Sequence, residues 1–301
     1  MCYNIRAEKG ENMLYILIGI VILLLSGVII RIHYEITHFE IVRDIVHTDK
    51  IKNPCRMVLI TDLHGCTYGD GNEKLLQAIQ KEQPEIILIA GDLFTAKRGK
   101  KIDTDAAVEL LEVLSKQYLV FYTNGNHETR AKIETDLYGN AYQEYLDLLK
   151  KKQIEYIALN DQKIDLDKNN ITIAGVELEE EYYRKTVRKI KLPKEYLQNK
   201  LGVLDQNRFN ILIAHNPSYF DAYAQYGADL IVSGHNHGGI VCLPFIGGII
   251  STQYRLFDKY DKGNFFKNHS EMILSGGLGS HTINVRLGNM PQLIVIDLKK
   301  A

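Results

Sequence analysis

The sequence of 301 residues has no excess of charge of either sign, because its formal net charge is −1. A chain without a global positive field has no general electrostatic attraction for nucleic acid or for an anionic membrane surface, although a local basic groove remains compatible with it. Tryptophan is absent, which excludes no class of protein. Internal repeats and low-complexity tracts are missing as well. The hydrophobic share of 46% and the charged share of 24% are ordinary for a folded globular protein.

Cysteine is scarce, and its placement is uninformative. The four cysteines (Cys2, Cys55, Cys66 and Cys242) are scattered and form no C-x-x-C pair. A disulfide framework and a thiolate zinc site are therefore not expected. Cys66 lies close to a pair of candidate metal ligands, but the ligand set described below is complete without it.

One long apolar run lies near the N-terminus. Residues 13–30 read MLYILIGIVILLLSGVII and contain no ionisable acid or base. As a helix this run would be about 27 Å long, close to the ~30 Å hydrocarbon core of a bilayer. A buried core helix would carry a polar edge, and a cleaved signal peptide would show small residues at a cleavage site. We therefore predict an uncleaved transmembrane helix over 13–32, preceded by a tail over 1–12.

The orientation of this helix is only weakly indicated. Basic residues are roughly balanced between its two ends, and the positive-inside rule needs an imbalance. Arg43, Lys50 and Lys52 slightly favour a cytoplasmic catalytic domain in a single-pass cell-membrane protein, and the lack of a disulfide pattern agrees. Met13 is an alternative start of the chain.

The remainder alternates between short apolar runs and amphipathic stretches. Residues 33–55 are weakly patterned and are predicted to be a juxtamembrane connector, and 56–301 to be one α/β domain with two sheets. The alternation indicates parallel strands with crossover helices. Predicted strands cover 57–62, 85–92, 118–126, 209–215, 228–235, 271–277 and 291–298, and predicted helices cover 72–83, 105–117 and 138–151.

Five short clusters of metal-binding residue types follow one another along this domain. They are Asp62-Leu63-His64, Gly91-Asp92, Gly125-Asn126-His127-Glu128, His215-Asn216-Pro217 and Gly234-His235-Asn236-His237. Carboxylates, imidazoles and an amide can hold a pair of divalent cations, and two adjacent cations are a device for hydrolysing phosphate esters. In four clusters the ligands lie at the carboxyl end of an apolar strand, where open α/β sheets collect their sites.

Each cluster is weak when it is taken alone. A lone Asp92 is more often a helix cap or turn residue, and a lone His215 is more often a hydrogen-bonded interior histidine. On extended backbone, Asp62 and His64 would point to the same side, as would His235 and His237. The ordered conjunction of the five clusters therefore carries the prediction.

This conjunction resembles the calcineurin-like metallophosphoesterases, whose pattern is D-x-H, GD, GNH[DE], H and G-H-x-H. The resemblance covers about residues 57–300. The stretches at 238–248 and 275–298 resemble a bacterial membrane-anchored branch with enzymes similar to UDP-2,3-diacylglucosamine pyrophosphatase. The family fold implied is a four-layer αββα sandwich of two mixed sheets flanked by helices.

The resemblance also implies a ligand set for two divalent metal ions, whose identity among Mn, Fe, Zn and Mg stays open. One ion would be held by Asp62, His64, Asp92 and His237. The other would be held by Asp92, Asn126, His215 and His235. A water acidified by the ions would attack phosphorus, and His127 would protonate or orient the leaving oxygen. Glu128 would hold the His127 ring by a hydrogen bond, with a solvated loop carboxylate as the alternative.

Other residues have weaker indications. The glycines Gly91, Gly125 and Gly234 precede ligands at turns where positive φ or close approach is expected, with plain loop flexibility as the alternative. Arg286 is a candidate phosphate contact or a surface arginine. The basic cluster Lys97, Arg98, Lys100 and Lys101 is a solvated loop or a headgroup-binding rim.

The function expected from these features is hydrolysis of a phosphodiester or pyrophosphate bond, with a lipid-linked or nucleotide-sugar-lipid phosphate among the candidate substrates and the membrane as a partner through the N-terminal helix. A catalytically silent binding module of the same fold is one alternative, although such a module would be expected to lose His127 or several ligands. A nuclease is another, but nucleic acid is not an expected partner because the sequence shows no aromatic and basic insert.

Overall fold

The computed structural model describes residues 2–184, 190–239, 241–243, 247–250, 259–280 and 284–301. Parts of the two stretches that resemble a membrane-anchored branch, 238–248 and 275–298, lie outside these described residues.

Fourteen strands and eight α-helices are found in the described chain. The strands are β1 (Glu40–Thr48), β2 (Cys55–Ile60), β3 (Ile86–Ala90), β4 (Leu119–Thr123), β5 (Ile157–Ala158), β6 (Gln162–Leu166), β7 (Ile171–Val176), β8 (Phe209–Ala214), β9 (Leu230–Ser233), β10 (Val241–Leu243), β11 (Gly247–Ile250), β12 (Gly263–Lys267), β13 (Ser270–Leu274) and β14 (Gln292–Lys300). The helices are α1 (Cys2–Thr37), α2 (Glu73–Glu82), α3 (Asp105–Ser115), α4 (Asn126–Ile133), α5 (Thr135–Tyr138), α6 (Ala141–Lys151), α7 (Tyr196–Leu201) and α8 (Phe220–Tyr226).

The strands form two six-stranded sheets and one hairpin. The first sheet has the order β1-β14-β2-β3-β4-β5, and the second has the order β12-β13-β9-β8-β7-β6. Strands β10 and β11 pair with each other. Both large sheets are mixed, because β2–β5 run parallel whereas β14 pairs antiparallel with β2, and β7–β9 run parallel whereas β6 pairs antiparallel with β7. Parallel neighbours such as β2 and β3 need a crossover connection, and α2 provides it between these two strands.

The central strands are apolar on both faces because each face is covered. In β2, Val58 and Ile60 belong to the core beneath α2, α3 and α6. Met57 and Leu59 point the other way into the core between the two sheets. A third core lies between the second sheet and helices α7 and α8. The alternation of side chains along a strand thus produces four layers, which confirms the αββα sandwich of two mixed sheets with an added N-terminal helix.

Residues 40–48, within the stretch predicted to be a connector, form an edge strand of the first sheet. Strand β1 pairs in parallel with β14 from Glu40 opposite Gln292 to Thr48 opposite Lys300. Its burial pattern is mixed rather than apolar, because an edge strand has one open side and one partly solvated face. The pairing is with the last strand of the chain, so no local sequence pattern announces it.

Helix α1 is continuous from the N-terminal tail through the apolar run. Its segment Asn12–Thr37 has a mean hydropathy of 3.0 in its most apolar window, and none of that window is buried within the protein. The large apolar side chains between Met13 and Ile30 are exposed, so the helix is not a core helix of this domain. By length and composition it is a candidate transmembrane span, and a signal sequence would pass the same test.

The C-terminal end of α1 is fixed to the domain. Glu35 is fully buried, and its carboxylate accepts hydrogen bonds from the backbone N–H groups of Gly288 and Asn289, each at 3.1 Å. Arg31, one turn earlier, forms an ion pair with Glu35. The apolar helix therefore ends on the segment that precedes β14.

Candidate metal centre

All five ligand clusters follow directly on strands of the two facing sheets. Asp62 and His64 follow β2, Asp92 follows β3, and Asn126 opens α4 just after β4. In the second sheet His215 follows β8, and His235 and His237 follow β9. The carboxyl ends of parallel strands meet at one edge of each sheet, and the two edges are brought together by the sandwich.

The side chains of these clusters converge within a few ångströms. Three groups have ligand atoms that all lie within 4.8 Å of one another: Asp62, His64 and His237; Asp92, His215 and His235; and His64, Asp92 and His127. His237 Nε2 is 3.3 Å from Asp62 Oδ1 and 3.1 Å from His64 Nε2. His215 Nε2 is 3.1 Å from Asp92 Oδ2. The structure thus brings together every histidine and aspartate predicted as a ligand.

Three of the histidines, His64, His215 and His237, present their Nε2 atoms to this cluster because their Nδ1 atoms are engaged elsewhere. His215 Nδ1 lies 2.6 Å from the carbonyl oxygen of Ala90, and His237 Nδ1 lies 3.2 Å from that of Gly279. His64 Nδ1 lies 3.0 Å from the hydroxyl of Thr95. A carbonyl oxygen can only accept, so Nδ1 of His215 and His237 carries a proton, and Nε2 is the ring nitrogen that faces inward. Metal-binding histidines are held in this way.

The backbone at these ligands is not extended, contrary to the expectation from the D-x-H and H-x-H spacing. Asp62, His64, Asp92, His235 and His237 have φ values of 51°, 52°, 56°, 72° and 53°, in the left-handed region. Each such residue costs about 1–3 kcal/mol and persists only where its surroundings hold it. The turns are held by backbone bonds, such as Asp62 N–H to Gly91 O at 3.0 Å and Gly234 N–H to His215 O at 3.1 Å. Such strain concentrates at functional sites.

All three glycines that precede ligands allow a close approach that no other residue permits. An added Cβ would lie 2.2 Å from Asp62 Oδ2 at Gly234, 2.3 Å from Asp92 Oδ1 at Gly125, and 2.3 Å from the backbone nitrogen of Gly125 at Gly91. Gly91 also has a φ of 81°. Plain flexibility therefore does not explain these glycines, since at each position a side chain would collide with a candidate ligand or with the backbone of a neighbouring loop.

Burial and mutual repulsion shape the charges of the two aspartates. Burial, aided by the neighbouring Asp92 carboxylate, raises the pKa of Asp62 to about 6 against the opposing effect of His215. Burial also acts to raise the pKa of Asp92, but His215, His127 and His64 outweigh it and hold that pKa well below its ordinary range. For His215, burial acts to lower the pKa, but Asp92 and Asp62 outweigh it and raise the pKa to about 10. Two buried carboxylates so close together need positive charge between them.

Comparisons with known proteins agree with this geometry. The family model for calcineurin-like phosphoesterase matches residues 55–239, which is more than half of the chain. The chain belongs to the calcineurin-like phosphoesterase family. An uncharacterized metallophosphoesterase of Campylobacter jejuni is 26% identical over 260 residues, 84% of this chain and 62% of that protein. An uncharacterized metallophosphoesterase of Aquifex aeolicus is 25% identical over 272 residues, 89% of this chain and 94% of that protein.

The chain therefore spans less than two thirds of the Campylobacter relative and nearly all of the Aquifex one. Among solved structures, that of an archaeal phosphodiesterase is similar over 74% of this chain and 84% of its own, with a TM-score of 0.37 and 12% identity. The descriptions of the two relatives name no substrate, so the narrower resemblance to a UDP-2,3-diacylglucosamine pyrophosphatase stays a prediction. Family membership and the buried cluster together support a metal-dependent phosphoesterase.

The residues present fit the divalent metal ions that this phosphoesterase family uses. Asn126 Oδ1 is buried, and no group among the described residues donates a hydrogen bond to it. An amide oxygen in that condition costs free energy unless a cation or another donor meets it. Nitrogen and oxygen donors from imidazole, carboxylate and amide groups suit Mn, Fe, Zn or Mg to differing degrees. The phosphoesterase thus carries a donor set for a divalent metal centre whose metal identity the ligands do not decide.

His127 lies at the border of this cluster and is fixed by the backbone of Ala96. The N–H of Ala96 donates to His127 Nδ1 at 2.9 Å, and the carbonyl oxygen of Ala96 is 3.1 Å from the same atom. The backbone N–H of His127 donates to Asp92 Oδ1 at 2.9 Å. Its ring meets that of His64 edge to face, with centroids 5.0 Å apart. Distance alone would also allow His127 to bind a metal ion, since it forms one of the three groups above.

Glu128 is fully buried, so it is not a solvated loop carboxylate. Its oxygens accept hydrogen bonds from the backbone N–H groups of Asp92 (2.8 Å), Leu93 (2.7 Å) and Gly125 (3.0 Å), and from the hydroxyl of Tyr122 (3.0 Å). Burial raises its pKa to about 7, with a further contribution from the Asp92 carboxylate. These contacts join the loops after β3 and β4, and the bond predicted between Glu128 and the His127 ring stays a prediction.

Arg286 is neither a phosphate contact nor a surface arginine. It is 2% exposed, and its guanidinium donates to the carbonyl oxygens of Gly276 (2.8 Å), Gly277 (3.2 Å) and Gly279 (2.6 Å). Because Gly279 O also contacts His237 Nδ1, Arg286 holds the loop against which a candidate ligand rests. Only the tertiary structure could have revealed this role, since the local sequence resembles any exposed loop.

Another residue that the sequence did not single out is Asn289, which is fully buried. Its side-chain amide donates to the carbonyl oxygens of His237 and Gly239, both at 2.6 Å. Its own backbone N–H is the one bound by Glu35 of α1. The position of His237 is thereby linked to the end of the apolar helix through one intermediate residue.

Proposed function

We propose that this protein hydrolyses phosphodiester or phosphoanhydride bonds, with His127 as the group that serves the leaving oxygen. The observation that supports the proposal best is the fixing of His127 by the Ala96 backbone at the border between the metal cluster and a surface pocket. A residue placed there contacts both the attacked phosphoryl group and whatever departs from it. This arrangement is what general acid catalysis needs.

We assign one ion to Asp62, His64, Asp92 and His237, and the other to Asp92, Asn126, His215 and His235. Asp92 would be common to both sets, because a carboxylate has two oxygens that could each meet a cation. When bound, such a pair of ions polarises the phosphoryl group and makes a water molecule acidic enough to serve as the nucleophile at neutral pH. The protein contributes rigid positions for these ligands through its strand ends and its strained turns.

His127 supplies a proton from Nε2 in this scheme. In the charged ring both nitrogens carry protons, and Nδ1–H donates to the Ala96 carbonyl oxygen at 3.1 Å, so Nε2–H is the proton that passes to the leaving oxygen. The neutral ring that remains keeps its proton on Nδ1 and its hydrogen bond to the same carbonyl oxygen. The Ala96 backbone therefore holds the imidazole in one orientation while Nε2 gives up and regains its proton.

The pocket beside His127 supports a substrate that extends beyond a single phosphoryl group. Its volume is about 290 Å³, and His127 forms part of its wall. A simple phosphate monoester with a small leaving group would leave this space to solvent. A diester or anhydride would place its leaving portion there, which favours these two classes.

We further propose that α1 anchors the enzyme in the cell membrane and holds the metal centre close to the bilayer surface. The apolar part of α1 ends about one turn before Glu35, and Glu35 contacts the segment that positions His237 through Asn289. A site so close to the membrane suits an amphipathic or lipid-linked phosphate. The catalytic unit would extend from 33 to 301, because β1 belongs to its sheet. The slight excess of basic residues after the helix favours the cytoplasmic side for this unit.

The test of catalysis uses the full chain in detergent, reconstituted with Mn²⁺, and the Asp92→Asn variant. The wild type should hydrolyse bis(4-nitrophenyl) phosphate, and Asp92→Asn or a chelator should reduce the rate by at least about 10³-fold, with metal content measured on the same samples. The matched control is Asp297→Asn, which removes a carboxylate paired with Arg56 on the far side of the first sheet. Full activity of Asp92→Asn or of chelated protein would refute the proposal.

Two further measurements address the alternatives. Single-stranded DNA offered at the same concentration should be hydrolysed far more slowly than the small diester, and the reverse order would make the protein a nuclease. Protease digestion of a C-terminal tag in intact cells should fail without permeabilisation if the domain is cytoplasmic. Digestion without permeabilisation would reverse the orientation.

A further inference from the structure

The pocket beside His127 has a distinctive charge. Its lining includes three cationic side chains, those of Lys97, Arg98 and Arg130, and one carboxylate, that of Glu134. His127 forms the wall that the pocket shares with the metal cluster. A leaving group that departs past His127 therefore enters a space with more positive than negative side chains.

Arg130 is placed in this pocket by the helix that carries His127. The two residues are three apart on α4, so they lie on the same face, one turn from each other. The Arg130 side chain is 25% exposed, and its Nε is 3.5 Å from Glu180 Oε1. It is thus held at the wall of the pocket while its guanidinium keeps further donors for a ligand.

The acidic groups nearby do not cancel this positive charge. Glu134 is partly buried, which raises its pKa, and the hydrogen bond with the Glu180 carboxyl raises that pKa further. Even with Glu134 and Glu180 both charged, the three cationic side chains of the pocket outnumber the two carboxylates. Arg98 and Arg130 both act to lower the pKa of Glu134, and both line the pocket.

We propose that this pocket binds a phosphate group on the leaving portion of the substrate, and that Arg130 and Arg98 determine this specificity. The inference rests on the proposed phosphoesterase function. In the reaction, water oxygen forms the new bond to the attacked phosphorus, and the bond from that phosphorus to the bridging oxygen breaks. The departing phosphate monoester keeps the bridging oxygen, and the arginines balance the negative charge that develops on it.

Phosphate fits this pocket better than a neutral leaving group for two reasons. Guanidinium groups match phosphate with paired hydrogen bonds, whereas a neutral aryl or sugar group would leave their charges unmet. A volume of about 290 Å³ is enough for a phosphate group and further atoms of the leaving portion. Leu137, which is 42% exposed and also lines the pocket, offers the rest of the substrate an apolar contact.

The experiment compares two substrates on the full chain in detergent with Mn²⁺. One is an alkyl ester of a nucleoside diphosphate, from which a nucleoside monophosphate departs, and the other is bis(4-nitrophenyl) phosphate, whose leaving group is uncharged before the reaction. The ratio of their kcat/KM values should fall about 10- to 100-fold in Arg130→Gln and in Arg98→Gln, mainly through KM for the diphosphate ester. Arg130→Lys should recover part of the ratio, because charge is kept and the paired geometry is lost.

The matched control is Arg43→Gln, an arginine that, like Arg130, pairs with a glutamate but lies on β1. Its ratio should equal that of the wild type, and an equal fall in this control would overturn the assignment. Ratios in both pocket variants within twofold of the wild type would also overturn it. Arg98 is exposed, so its variant keeps the test decisive if Arg130→Gln lowers the melting temperature.

A binding measurement separates this inference from the function on which it rests. A nucleoside monophosphate or an alkyl monophosphate is titrated calorimetrically into wild type, Arg130→Gln and Arg43→Gln. Binding of a monophosphate that is weaker in Arg130→Gln than in the wild type and in Arg43→Gln supports the pocket. If the nucleoside monophosphate is the ligand affected, the leaving portion is a nucleotide, and if the alkyl monophosphate is affected, it comes from a lipid. Binding that is equal in all three proteins overturns the pocket assignment. If neither substrate is hydrolysed by the wild type, the phosphoesterase proposal fails. The titration alone then tests whether the pocket binds a phosphate group.

Discussion

Removal of the Glu35 carboxylate should disturb the metal centre, although Glu35 lies at the end of the apolar helix. The carboxylate is fully buried and accepts two backbone hydrogen bonds, from Gly288 and Asn289. In Glu35→Ala both N–H groups lose their acceptor in a buried place, whereas Arg31, which is half exposed, turns to water. Loss of two bonds to a charged acceptor costs about 3–5 kcal/mol.

The free energy lost can be read as a change of melting temperature. At about 2–4 °C per kcal/mol for a domain of this size class, Glu35→Ala should melt roughly 6–20 °C below the wild type. Glu35→Gln keeps one acceptor oxygen, so its melting temperature should lie between those of Glu35→Ala and the wild type. The assay is thermal unfolding of the full chain in detergent, with Glu155→Ala, an exposed glutamate, as the matched control.

The same variant should weaken metal binding. Asn289, once its backbone N–H is released, holds the carbonyl oxygens of His237 and Gly239 less firmly. Changes in the groups that orient metal ligands typically cost 10- to 100-fold in affinity, so calorimetric titration with Mn²⁺ should show a loss of about 10-fold or more. A melting temperature within 2 °C of the control, together with unchanged metal affinity, would refute the link between α1 and the metal centre.

Three other perturbations have definite expected outcomes. Gly234→Ala would place a Cβ 2.2 Å from Asp62 Oδ2, so it should lower the melting temperature by several degrees and weaken Mn²⁺ binding in the same titration. Arg286→Met should destabilise the protein by about 2–4 kcal/mol in denaturant unfolding, because the carbonyl oxygens of the loop at 276–279 lose their buried donor; stability equal to that of the wild type would contradict this role. Cys55 should resist a thiol reagent at pH 8 until the protein unfolds, whereas the partly exposed Cys66 reacts in the folded state. Burial, with the nearby Glu85 adding to it, raises the pKa of Cys55 to about 12, so its contribution to stability is complete below pH 9 and is lost as the pH rises from 9 towards 12.

The strands and helices around the metal centre could be predicted because their patterns are local. Runs of branched apolar residues, such as those of β2, β3, β8 and β9, are buried on both faces and end where polar ligands begin. Amphipathic stretches at 72–83 and 105–117 became α2 and α3 with changes of one or two residues at their ends. Local periodicity is enough to predict a strand or helix when the element is buried on both sides or along one continuous face.

Features that depend on distant partners could not be predicted in this way. Strand β1 exists because β14, some 250 residues later, offers it an edge, and its own residues are only half buried. The left-handed backbone at Asp62, His64 and Asp92 was missed because spacing alone favours an extended chain. Hydrogen bonds between loops impose that conformation, and these loops are adjacent only in the folded protein.

The sequence by itself determined the chemistry of this protein, because the residue types and their order along the strands specify donors for divalent metal ions and a histidine beside them. Tertiary structure alone decided which atoms face those donors and what surrounds them. It turned Arg286 inward to hold a loop, joined Glu35 to the segment behind His237, and gathered Arg98 and Arg130 around a pocket. The physical reason is that ligand identity resides in single side chains, whereas orientation, burial and charge arise from contacts between segments far apart in the chain.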